Sequence, residues 1–219
     1  MTMRSYYLAL TALASGLATA LPQSSRYQVF TINNNFETLS NDVPLVGTVG
    51  AIGVYNLLEW NFLGGDAALK RDVTTITGVE PYTPPNIAGY GVRTALEVGT
   101  AYISSNYESS SVEYFDLYIP GQAESIRYGC NADTDSNVGI PASCEITATG
   151  YGTDGTEVAK QTFSFTSEGG LTQQMSPGAF SPDFVRLGKV EFTTSYGDIL
   201  GDLGATMLDN VYTRVYQRS

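Results

Sequence analysis

Histidine is absent from the 219 residues, lysine occurs three times, cysteine twice and tryptophan once. Each scarcity removes a class of chemistry. Without an imidazole there is no Ser-His-Asp triad, no Cys-His dyad, no His-ligated zinc and no His-held copper or haem. Eleven Lys plus Arg stand against 22 Asp plus Glu, a net charge of −11. Phosphate backbones and anionic lipid surfaces bind proteins by releasing counterions to Lys and Arg, so neither nucleic acid nor a membrane is an expected partner. Neutral glycans and basic protein surfaces remain. No Asn-x-Ser/Thr sequon occurs, so N-glycosylation is not expected.

What is present points to an exported β protein. Apolar residues make up 42% and charged ones 15%, too apolar a mixture for intrinsic disorder, while 23 Gly, 9 Pro, 15 Tyr and 9 Phe against 4 Met lean towards strands. Arg4 precedes the apolar run Tyr6 to Ala20, which ends in Ala18-Thr19-Ala20. This pattern predicts a secretory signal peptide over residues 1–20, with cleavage after Ala20 and a secreted, extracellular product. The run is shorter than the roughly 20 apolar residues a membrane span needs. Residues 21–219 are then expected to form a single domain, and a monomer. In an oxidising compartment Cys130 and Cys144 are expected to pair, closing a loop of about 15 residues.

Along the chain, residues 21–35 are polar and Asn-rich and read as an entry arm. Residues 64–91 show little periodicity around the PYTPPN string (Pro81 to Asn86) and read as one large surface loop. Short alternating runs account for much of the rest. In Val112 to Ile119, Phe115, Leu117 and Ile119 fall on one face and Val112, Tyr114, Asp116 and Tyr118 on the other. Cys144, Ile146 and Ala148 alternate with polar neighbours, as do Ala159, Phe163 and Phe165, and the Asp154-Gly155 step between these runs predicts a type I′ hairpin. Further runs cover Gly53 to Leu63, Thr94 to Ser104, Ser125 to Cys130, Phe184 to Thr194 and Thr206 to Tyr216. No segment sustains a helical period. The fold expected is all-β, an antiparallel β-sandwich of the jelly-roll kind.

On the last run Asp209 shares parity with Met207, Val211, Thr213 and Val215, which turns its carboxylate inward. A buried carboxylate needs a partner, and cationic side chains are scarce. Glu37, after Phe36 and in parity with Leu39, is the expected counterpart if the first and last strands are neighbours. A Ca²⁺ ion would compensate both charges through carboxylate and carbonyl oxygens; exposed acids at strand ends are the alternative. Phe36-Glu37 near the start and Leu208-Asp209-Asn210-Val211 near the end resemble the two ends of galactose-binding-like jelly rolls found in carbohydrate-binding modules. That resemblance implies a structural calcium at Glu37 and Asp209, with no organic cofactor. The Phe115-Asp116-Leu117 strand, Cys144-Glu145-Ile146 and Thr149-Gly150-Tyr151 before Asp154-Gly155 are also similar to small secreted fungal proteins of unassigned function. A weaker metal candidate, Asp133, Asp135 and Asn137, opens like an EF-hand loop but has Val138 where that loop needs Gly and Cys144 where it needs Glu.

Sugar recognition relies on flat aromatic faces with hydrogen-bonding groups at their rim. The candidate ligand contacts are Trp60, Tyr114, Asp116 and Tyr118, with core packing the competing role for Trp60 and Tyr55. A glycosidase or lyase could work without histidine through paired carboxylates, yet no second carboxylate is marked as a partner for Asp116. The expectation is therefore non-catalytic binding of extracellular or cell-wall carbohydrate. The alternative is a secreted effector or surface factor that engages a protein partner through the 64–91 loop, where Lys70-Arg71 is also a candidate processing site.

Overall fold

A computed structural model of the chain describes residues 26–39, 50–66, 78–84, 86–91, 100–133, 139–197 and 204–219. The expected signal peptide, Lys70-Arg71, Asp135 and Asn137 lie outside them. The described residues contain sixteen strands and no helix. In chain order these are β1 (Tyr27–Asn34), β2 (Gly50–Tyr55), β3 (Leu58–Asp66), β4 (Gly78–Glu80), β5 (Asn86–Gly91) and β6 (Ala101–Ser104). Next come β7 (Val112–Asp116), β8 (Ile126–Asp133), β9 (Gly139–Pro141), β10 (Cys144–Gly152) and β11 (Glu157–Phe165). The last five are β12 (Thr172–Gln174), β13 (Ser176–Gly178), β14 (Leu187–Ser195), β15 (Gly204–Asp209) and β16 (Val211–Arg218).

Hydrogen bonding runs through one curled antiparallel path, β1-β16-β7-β14-β6-β3-β5-β15-β8-β13. From it branch β10 through β14, carrying β11 beyond it, β2 through β3, and β9 through β8, and only the short β4–β12 ladder is parallel. The result is the expected antiparallel β-sandwich. Its buried residues form one contiguous cluster. Phe36, Trp60, Phe62, Tyr90 and Phe192 make a chain of edge and tilted ring contacts with centroids 5.2 to 6.0 Å apart. Tyr128, Phe163, Phe180 and Phe184 make a second chain at 4.9 to 5.3 Å. Such pairs add to the area term because ring edges and faces carry opposite partial charge.

Several expectations hold in detail. Along β10 and β11, Cys144, Ile146, Ala148, Ala159, Phe163 and Phe165 are buried, and the two strands pair as a hairpin. β1 and β16, the first and last strands, pair from Tyr27↔Arg218 to Asn34↔Val211. Cys130 and Cys144 form a disulfide, both buried, with Cα atoms 6.3 Å apart. In the chain-entropy view closing a loop of about 15 residues contributes about 3 kcal/mol. Replacing both cysteines by serine is therefore expected to lower unfolding free energy by about 3 kcal/mol in urea titration; an unchanged midpoint would refute the assignment.

Other expectations are corrected. Within the expected entry arm, residues 27–34 form edge strand β1. The 64–91 segment is not one surface loop. It contains the end of β3, the strand β4 and the strand β5, all six residues of which are buried between β3 and β15. The Asp154-Gly155 turn is a three-residue connection rather than a type I′ pair. Gly155 N donates to Gly152 O, Gly152 N donates to Thr156 O, and only Gly155 has positive φ (81°). That is a type I turn closed by a left-handed glycine. The run Thr206 to Tyr216 is two strands, broken at Asn210, whose φ is 46°.

Candidate functional site

The break at Asn210 sets up the first candidate site. Asp209 ends β15 and is 0% exposed. Its Oδ1 accepts from Asn210 N at 2.7 Å and its Oδ2 from Thr83 N at 2.7 Å. Thr83 Oγ1 also donates to Asn210 Oδ1 at 3.0 Å, tying the Pro81–Pro84 turn to this corner. No cation pairs with Asp209 among the described residues. Burial first, with the Glu37 charge adding to it against the backbone donors, pushes Asp209 up to about 6. Glu37 follows Phe36, which sits at φ 59°, and lies in the turn after β1 rather than on a strand. The Nδ2 of Asn86 clamps that turn by donating to Phe36 O and Leu39 O, each at 3.1 Å.

Two buried oxygens in this corner have no hydrogen-bond partner, Glu37 Oε1 and Asn33 Oδ1. Asn33 is placed there by its Nδ2, which donates to Asn210 Oδ1 at 3.3 Å. An orphaned buried acceptor costs about 1–3 kcal/mol, and a charged one more. Among the described residues no group of three or more Asp, Glu, Cys or His side chains gathers at one point. The corner therefore offers two carboxylates and an amide oxygen, a hard, all-oxygen donor set. That chemistry fits Ca²⁺ and does not fit zinc or copper, which favour nitrogen and sulfur. Glu37 and Asp209 are the residues that would hold the ion, with Asn33 tied to the same corner through Asn210. Asn33, Thr83 and Asn86 were invisible to parity because their partners lie 47 to 177 positions away in the chain.

The second candidate site is a cleft of about 670 Å³ between the end of β6, β7, the β10–β11 turn and β14. It is lined by Ser104 to Asn106, Glu113, Tyr151 to Gly155, Gly188, Lys189 and Glu191, among others. Gly188 forms part of its floor because a Cβ there would come within 3.0 Å of Gly152 O and Thr153 Cα. Ser105 N donates to Gly188 O at 3.0 Å, closing the floor from the β6 side. Lys189 Nζ lies 2.7 Å from Glu191 Oε1 and 4.6 Å from the Tyr102 ring centroid, and the Tyr151 hydroxyl donates to Glu191 Oε2 at 3.3 Å. Burial, then the Glu191 charge, holds the Tyr151 hydroxyl protonated above its usual range. Glu113 is held low, chiefly by its bond from Arg218, and Asp154 is held low by Thr156, whose N and Oγ1 both donate to Oδ1.

The four expected ligand contacts are not brought together as a binding face. Trp60 is 1% exposed, packs edge-on against Phe36 and donates from Nε1 to Tyr55 O at 3.0 Å, so neither face of its ring is open to a ligand. Tyr114 is buried, stacked on Tyr216 with centroids 4.4 Å apart. Asp116 is buried and accepts from Arg186 N at 2.7 Å and the Tyr216 hydroxyl at 2.9 Å, which makes it a brace between β7, the residue preceding β14, and β16. Tyr118 is half-buried and packs against the core. The face expected to be open is covered because β16 pairs with β7 and brings Tyr216 over it.

No family model matches the chain and no characterised protein matches its sequence. Among solved structures it is similar to a DUF4465 family protein from Bacteroides caccae, with 12% sequence identity, a TM-score of 0.48, and coverage of 84% of this chain and 98% of that one.

Proposed function

We propose that this protein is a secreted, non-catalytic module that binds extracellular or cell-wall carbohydrate and is braced by one structural Ca²⁺ at Glu37 and Asp209. The observation that carries the binding role is the cleft between β6, β7 and β14. Its volume lies within the range of roughly 300–1,000 Å³ common for small-molecule sites, enough for a short run of sugar rings. Its lining supplies the hydroxyls of Ser104 and Ser105, the Asn106 amide, the Tyr151 ring, one ammonium at Lys189 and the carboxylate of Glu191. Ser104, Tyr151, Lys189 and Glu191 sit on strands, so little order has to be gained on binding. The cleft takes over the ligand role that pattern reading gave to Trp60, Tyr114, Asp116 and Tyr118.

Binding without catalysis is the better fit because the cleft carboxylates are occupied. Glu113 and Asp154 are held below the usual carboxylate range, the reverse of what a general acid needs. Glu191 is engaged by both Lys189 and Tyr151. The described part of 64–91 is largely strand, so the protein-partner alternative would have to act through residues 67–77, which lie outside the described residues.

A printed array of neutral oligosaccharides is expected to show retention of the intact protein. Tyr151→Ala and Lys189→Ala are each expected to weaken it about tenfold, the effect of losing about 1.4 kcal/mol. Retention on no sugar, or equal retention by the double variant, would end the cleft assignment.

A further inference from the structure

Tyr82 has no evident packing role. It sits on the Pro81–Pro84 turn between β4 and β5 and is 51% exposed. The Arg127 guanidinium lies 4.0 Å from its ring centroid, covering one face. That guanidinium is itself immobilised. Its side chain is only 15% exposed and pairs with Glu124. The turn beneath is equally fixed, because Pro81 and Pro84 restrict its backbone and Thr83 is bonded through N to Asp209 and through Oγ1 to Asn210. Asp209 in turn stands directly opposite Arg127 across the β15–β8 ladder.

An exposed aromatic held rigid from below is costly to keep and cheap to use. Its χ angles are already restrained, so a ligand laid on the outer face loses little side-chain freedom. The Arg127 cation is drawn to the inner face and leaves the outer face to a ligand. The flat apolar surface suits the C–H face of a pyranose ring.

We propose that Tyr82, backed by Arg127, is a second sugar-stacking platform that shares no residue with the β6–β7–β14 cleft. The inference rests on the carbohydrate-binding reading and adds a second contact to it. A polysaccharide chain engaging both would bind by avidity, with the second contact made at high effective concentration.

The test uses the full chain in pull-down on insoluble β-glucan, chitin and xylan, with melting temperature recorded for every variant. Tyr82→Ala is expected to weaken retention about tenfold, Tyr82→Phe to leave it within twofold, and Tyr82→Leu, apolar but not flat, to behave as the alanine variant. Undiminished retention by Tyr82→Ala, with loss in Tyr151→Ala and Lys189→Ala, would overturn the platform and leave the cleft standing. A fall in melting temperature without a fall in retention would make Tyr82 a structural cover for Arg127 and overturn the platform equally. Failure of the intact protein to bind any of the three polysaccharides overturns the platform together with the reading beneath it.

Discussion

Calcium at a thousandfold excess over its dissociation constant is expected to stabilise the chelator-treated protein by about 4.1 kcal/mol, the mass-action value for one site present only in the folded state. For a domain of this size that is roughly 8–16 °C in melting temperature. The cause is the corner where Asp209 and Glu37 lie with an orphaned Glu37 Oε1 and an orphaned Asn33 Oδ1. An unchanged melting curve, with no metal in elemental analysis of the purified protein, would remove the ion from the proposal.

The pH dependence carries a sign that distinguishes the two states. In the metal-free protein Asp209 is raised from 3.8 to about 6, so the fold binds that proton more tightly than the unfolded chain does. Its stabilising contribution is complete below the unfolded value and is lost as pH rises through about 6. Calcium competes with the same proton. The gain from calcium is therefore expected to grow between pH 5 and pH 7.5, and a gain independent of pH would place the ion elsewhere.

Trp60→Ala is expected to cost about 3–5 kcal/mol, the range for emptying a large aromatic site in a packed core. The indole contacts both Phe36 and Phe62, and its Nε1 bond to Tyr55 O holds the β2–β3 hairpin against them. Because Phe36 precedes Glu37, this substitution is also expected to weaken the cation corner. Chemical denaturation of the variant settles the role: full stability with lost sugar retention would return Trp60 to the ligand surface.

Strand content was readable wherever one face of a strand meets the core and the other meets water. Alternation over Cys144 to Ala148 and Ala159 to Phe165 corresponds residue by residue to burial in β10 and β11. The same period placed Val211, Thr213 and Val215 inward along β16; Asp209 is buried as expected, but Met207 of the same parity is half-buried, Thr206 and Leu208 of the other parity are buried, and the strand breaks at Asn210. Alternation fails for β5, whose Asn-Ile-Ala-Gly-Tyr-Gly is buried throughout, because a strand covered on both faces has no polar side to display. It fails in the opposite sense for β1, an edge strand whose Gln28 to Thr31 are all exposed. Asp116 shows a third limit. Its parity was read correctly, but parity cannot say that a strand from the far end of the chain will lay Tyr216 across that face.

Composition and period thus settled the class of fold, the oxidised cysteine pair and the inward turn of one carboxylate, because each depends on residues near one another in the chain or on the sum of all of them. The cleft floor at Gly188, the burial of Trp60 and Tyr114, and the meeting of Thr83 with Asp209 across 126 positions came from strand pairing. Pairing is chosen by the free energy of the whole core, and no local window of sequence contains that sum.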